Sequence, residues 1–143
     1  VLFGIFWALL NFSSGISSYN SHFFSNKFSY RALIYFSVIM SLSFFLLGFS
    51  IITYGLFFIF IIYFLRGIVT PILRNEINKI TSSNIRATVL SVRSFIIRVS
   101  FAILAPILGF IAEHNSLSIT FYFLAIVVGF STLLSAFKLI KLE

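Results

Sequence analysis

From Ala32 to Leu65 the chain runs for thirty-four residues without a charged side chain or a histidine. As one helix this stretch measures about 50 Å at 1.5 Å per residue, against about 30 Å for the hydrocarbon core of a bilayer. A segment of this kind suits lipid, and it is too long to cross only once. It must fold back, and the 48–55 stretch, with Gly48, Ser50, Thr53 and Gly55, is the only turn-like place inside it.

The rest of the chain reads the same way. Apolar residues make up 60% of the 143 and charged residues 9%. A soluble domain of this size buries only about 70% of the surface its unfolded chain exposes, too little to hide this apolar content. We therefore predict an all-α integral membrane protein, a bundle of five transmembrane helices, with the lipid bilayer as its first partner. The expected spans are residues 1–20, 31–49, 52–73, 87–112 and 117–140.

The net charge of +7 does not indicate nucleic acid, because the basic residues lie between apolar runs rather than along one polar stripe. Lys27 and Arg31 mark one connection, Arg74, Lys79 and Arg86 a second, and Lys138 and Lys141 the tail. The connections at 48–55 and 113–118 carry no Lys or Arg. All basic segments then fall on one side of the membrane, which by the positive-inside rule is the cytoplasm. The C-terminus is expected inside and the N-terminus outside. Such a start, with an opening run, Val1 to Ser18, that lacks the basic region of a signal peptide, suits a chain whose upstream spans lie elsewhere. A multi-pass protein of the cell membrane is the expectation.

Small residues recur at helical spacing in four spans: Gly4, Ala8, Asn11, Gly15 and Ser18; Ser37, Ser41, Phe44 and Gly48; Arg98, Ala102, Ala105 and Gly109; Ala125, Gly129, Thr132 and Ala136. In lipid such faces let helices approach closely, so each predicts packing within a bundle. Pro106 with Gly109 is a candidate helix bend.

Two arginines fall at membrane depth. Arg98 lies about 18 Å along the helix from Arg86, and Arg66 about 12 Å from Arg74. A charge at the centre of a spanning helix costs about 2.5–3.5 kcal/mol even on the lenient insertion scale. The three acids, Glu76, Glu113 and Glu143, all lie near span ends. Arg66, Arg98 and the mid-span Asn11 are therefore candidates for a substrate or ion path. Snorkelling, or a structural pair with an acid elsewhere, is the competing explanation for the arginines, and helix packing for Asn11. With no cysteine and only His22 and His114, at opposite ends of the spans, no metal, cofactor or catalytic constellation is legible.

The stretch from Arg66 to Glu113 resembles the major facilitator superfamily of transporters. The residues that carry this are Arg66-Gly67, Pro71, Asn75, Asn78, the run Ser82-Ser83-Asn84-Ile85-Arg86-Ala87-Thr88-Val89-Leu90-Ser91, and Pro106-x-x-Gly109 with Glu113. A weaker match lies earlier, where His22, Asn26, Lys27, Ser29 and Arg31 occupy the positions of the family's repeated Gly-x-x-x-Asp-Arg-x-Gly-Arg-Lys loop, keeping the basic residues and replacing the acid by Asn26. The resemblance implies that the five spans are helices eight to twelve of a twelve-helix fold. It implies a small-solute secondary transporter, ion-coupled in the family's manner, working by alternating access and needing its N-terminal half as partner. It also implies inner-loop gating contacts from Asn26, Lys27, Arg31 and Arg86. A non-transporting membrane assembly subunit is the alternative, and a membrane enzyme a more distant one.

Overall fold

The computed structural model describes the backbone of residues 2–49 and 51–140, and side chains within 2–21, 33–49 and 54–136. Among these residues there are five α-helices and no strand: α1 (Leu2–Tyr19), α2 (Ser21–Phe49), α3 (Ile51–Ile80), α4 (Arg86–His114) and α5 (Leu117–Ile140). Among the described residues, α3 from Tyr54, α4, and α5 to Ala136 are long and apolar enough to cross a membrane. Within α2 the apolar part, Leu33–Phe49, is shorter, and α1 is diluted by Asn11 and four serines.

Within the predicted 48–55 stretch α2 ends at Phe49 and α3 begins at Ile51, and the two helices pack against each other. Two helices run beyond the expected spans. The 21–30 connection belongs to α2, which starts one residue after α1 ends; Asn20 forms the break, its backbone N–H donating to the Ile16 carbonyl at 3.2 Å. No glycine or proline stands between Ile16 and Ser43 to stop the new helix. Likewise α3 continues past residue 73 to Ile80, so the connection to α4 is residues 81–85. The pair between Lys79 Nζ and Glu76 Oε1 at 2.7 Å supports these added turns, one helical turn apart on one face.

The helices are neighbours in the order α1, α3, α2, α5, α4. The core follows α3, where Ile62, Leu65, Ile68 and Ile72 are buried; Leu10 of α1 and Leu47 of α2, the two helices that flank it, are buried as well. Two close crossings fix this row. At the first, Gly67 of α3 lies on α1, where an added Cβ would overlap the Ser17 hydroxyl and the Ser14 carbonyl. At the second, α2 meets α5: Ser41 Oγ donates to the Ala125 carbonyl at 2.7 Å, and a Cβ on Gly48 would stand 2.8 Å from the Tyr122 ring.

The small faces predicted for α2 and α5 are therefore this second interface, with Phe45 rather than Phe44 against Tyr122, ring centroids 5.2 Å apart. The other two are not packed. In α1 the buried line is Leu10, Ser13 and Ser17, whereas Gly4 and Gly15 face open space. Small polar residues are spread around α1, and Gly67 accepts the serine side. In α4 no residue is buried, and nothing lies within 4 Å of a Cβ added at Gly109. The helix leans on α5 as its principal neighbour and leaves the Arg98–Gly109 face bare.

Candidate functional site

Asn11 and Arg66 come to the same pair of helices. Trp7 of α1 meets Tyr63 of α3 edge-on, with centroids 5.9 Å apart. Arg66, one turn beyond Tyr63, holds its guanidinium carbon 5.8 Å from that ring's centroid and is otherwise exposed. A cation over an exposed ring gains about 0.5–1 kcal/mol, less than the cost of a charge in hydrocarbon. On α1, Asn11 Nδ2 donates to the Trp7 carbonyl at 2.8 Å, and its amide oxygen has no partner among the described residues. The outer surface of the α1–α3 pair thus presents a cation, an amide acceptor and two amphipathic rings.

Arg98 stands apart from them on α4, near the middle of its 29 residues. Ser91, Ser94 and Arg98 are spaced i, i+3, i+7 and share one face. With Leu90 and Phe95 they line a shallow hollow of about 390 Å³. Ser94 Oγ donates to the Leu90 carbonyl at 3.0 Å, which keeps the hydroxyl on its own helix. Arg98 is exposed and has no ion-pair or hydrogen-bond partner among the described residues. Beyond it α4 runs unbroken through Pro106 and Gly109, both exposed. Pro106 has no N–H for the Ala102 carbonyl, so the ladder loses one bond there.

Of the four inner-loop candidates only Arg86 is placed; the side chains of Asn26, Lys27 and Arg31 lie outside those described. Arg86 Nη2 reaches back over the short connection to the carbonyls of Asn78 and Thr81, at 3.3 and 3.4 Å. It works as a latch between the end of α3 and the start of α4. On the two helices that this turn joins, a buried acceptor, Asn78 Oδ1, and a buried donor, Arg93 Nε, have no hydrogen-bond partner among the described residues.

A third feature was not read from the sequence. Between α2, α3 and α5 lies a hollow of about 610 Å³, lined by Leu33, Ser37, Val69, Leu73, Ser131, Thr132 and Ser135 among others. Its hydroxyls donate to carbonyls of their own helices: Ser37 to Leu33 at 2.8 Å, Ser131 to Val127 at 2.8 Å, Thr132 to Val128 at 2.7 Å and Ser135 to Ser131 at 2.8 Å. The signal was the Ser131–Thr132–x–x–Ser135 cluster in an otherwise apolar helix, but hydroxyls satisfied within a helix look alike whether they face lipid or a hollow.

Among the described residues no group of His, Asp and Glu is placed to hold a metal. Comparison with protein-family models, with curated proteins and with solved structures finds no match.

Proposed function

We propose that this chain is the C-terminal, five-span part of a secondary transporter of major-facilitator type. It moves a small solute across the cell membrane by alternating access, with ion coupling, its C-terminus in the cytoplasm and its N-terminal half as the other wall of the path. The observation that carries the reading is the exposure of Arg66 and Arg98 on helices long and apolar enough to cross a membrane, with Asn11 exposed on the neighbouring α1. Hydrocarbon rejects a guanidinium, so these groups face water, solute or another protein element. The Arg66–Glu113 resemblance supports the same reading, as does the bridge from Arg86 to the Asn78 and Thr81 carbonyls, which opening and closing of an inner side would strain.

A second reading, a membrane assembly subunit without transport, draws support from Arg98, which is exposed on α4 with no ion-pair partner among the described residues. Water access separates the two. The chain has no cysteine, so single cysteines report without background. In intact membranes, Ser91→Cys and Ser94→Cys should react with a membrane-impermeant thiol reagent, while Ile103→Cys, exposed on another side of α4, should not. A path predicts this contrast. Equal protection at 91, 94 and 103 would overturn it in favour of a dry assembly interface.

A further inference from the structure

The hollow on α4 has one wall. Leu90, Ser91, Ser94, Phe95 and Arg98 all belong to the same helix, and α5, the principal neighbour, supplies none of the lining. Arg98 lies about 18 Å from Arg86 along the helix, so its charge sits near mid-membrane when α4 spans. No described acid pairs with it: the one described ion pair is Lys79–Glu76 at the far end of α3, and Glu113 lies fifteen residues away, about 22 Å along α4. A cation in this position is stable only where an anion or water meets it.

The surface beside Arg98 restricts what that anion belongs to. Arg98, Ala102, Ala105 and Gly109 follow i, i+4, i+7, i+11 spacing, the period at which a second helix stays in contact over several turns. They cover about 16 Å of the helix, with no side chain larger than a methyl beyond the arginine. Gly109 has nothing within 4 Å of an added Cβ, so the site is free for another backbone to approach. A second copy of this chain brings another Arg98 to the same depth and no acid, and so repels.

We propose that α4 docks along its Arg98–Gly109 face with a transmembrane helix that carries a carboxylate at mid-membrane depth, paired with Arg98. The partner also supplies the missing wall of the Ser91–Ser94–Arg98 hollow. The inference requires that α4 span a membrane and does not require transport, so loss of peptide binding and loss of water access are separate failures.

The test uses the full chain in neutral-lipid vesicles, labelled at Asn115→Cys in a background free of other cysteines, and synthetic leucine–alanine transmembrane peptides bearing an acceptor dye. One peptide has Glu at its centre and its control has Gln. Energy transfer should show the Glu peptide binding at least tenfold more tightly than the Gln peptide. Arg98→Leu should abolish that preference, and Arg98→Glu should transfer it to a peptide with central Lys. Gly109→Leu, on an open face where folding is unaffected, should weaken the Glu peptide several-fold. Equal binding of Glu and Gln peptides overturns the proposal, as does a preference that survives Arg98→Leu. So does self-association of the chain that excludes the peptide, or loss of the preference when anionic lipid is added, which would assign Arg98 to lipid phosphate.

Discussion

Gly67 offers the sharpest test of the fold, because its surroundings fix both the sign and the size of the effect. A Cβ at this position overlaps the Ser17 hydroxyl and the Ser14 carbonyl oxygen, and stands 3.0 Å from the Ser14 carbonyl carbon. The hydroxyl can rotate away, but the carbonyl is α1 backbone, so only separation of α1 from α3 relieves the clash. Overpacking of this kind costs about 1–3 kcal/mol. Alanine also gains about 0.8–1.0 kcal/mol over glycine in a helix, which hides part of that cost. Gly15→Ala removes the ambiguity, since it carries the same propensity gain on α1 and meets nothing within 4 Å. The difference between Gly67→Ala and Gly15→Ala is thus the crossing alone, about 2 kcal/mol, or roughly thirtyfold in the unfolding equilibrium. Trp7, the chain's one tryptophan, rests on Tyr63 in the same interface and reports its separation. Reversible unfolding in mixed micelles, followed by Trp7 emission, should place Gly67→Ala well below wild type and Gly15→Ala at or above it. Coincident curves for the two variants would refute the α1–α3 crossing.

Two further outcomes follow from single contacts. Ser41→Ala deletes the hydrogen bond to the Ala125 carbonyl and should lower stability by about 0.6 kcal/mol, the usual worth of an interhelical bond in lipid, with Ser43→Ala, whose hydroxyl bonds only its own helix at Ile39, losing less. Arg86→Ala frees the Asn78 and Thr81 carbonyls, so amide exchange over residues 82–89 should accelerate several-fold while exchange in α2 stays unchanged.

What could be read from the sequence depended on how many solutions each pattern allows. The Ala32–Leu65 run exceeds one bilayer crossing, so a break inside it was required, and the run is divided between two helices, α2 to Phe49 and α3 from Ile51. Helix faces were harder. Ser41, Gly48, Ala125 and Gly129 were placed correctly because large apolar residues surround them and leave one small stripe on each helix. On α1, Ser13, Ser14, Gly15, Ser17 and Ser18 offer small groups in several directions, so periodicity did not single out the Ser13–Ser17 side. The 21–30 segment looked like a loop because it is polar, yet polarity moves a helix out of hydrocarbon without breaking it. Asn11, Arg66 and Arg98 could be listed as deep polar groups, but sequence could not show that the first two share α1 and α3 while Arg98 stands alone on α4.

The two ends of the helix row make the physical argument about function. In water, the bare faces of α1 and α4 would each expose a large apolar area and force association through the hydrophobic effect. In lipid that drive is absent, because acyl chains cover Phe95, Phe101 and Phe110 as well as a neighbouring protein would. An exposed apolar helix therefore says nothing about partners in a membrane. The polar groups do, because for them lipid is the one unacceptable neighbour. Along α1, Asn11 satisfies one of its two amide N–H groups within its own helix and is uncharged. Arg66 has the Tyr63 ring beneath it and about 12 Å of helix to Arg74. Arg98 has neither ring nor described anion, and it lies deeper. The requirement for something other than lipid is strongest at Arg98, and the face that shares its register is the one to probe first.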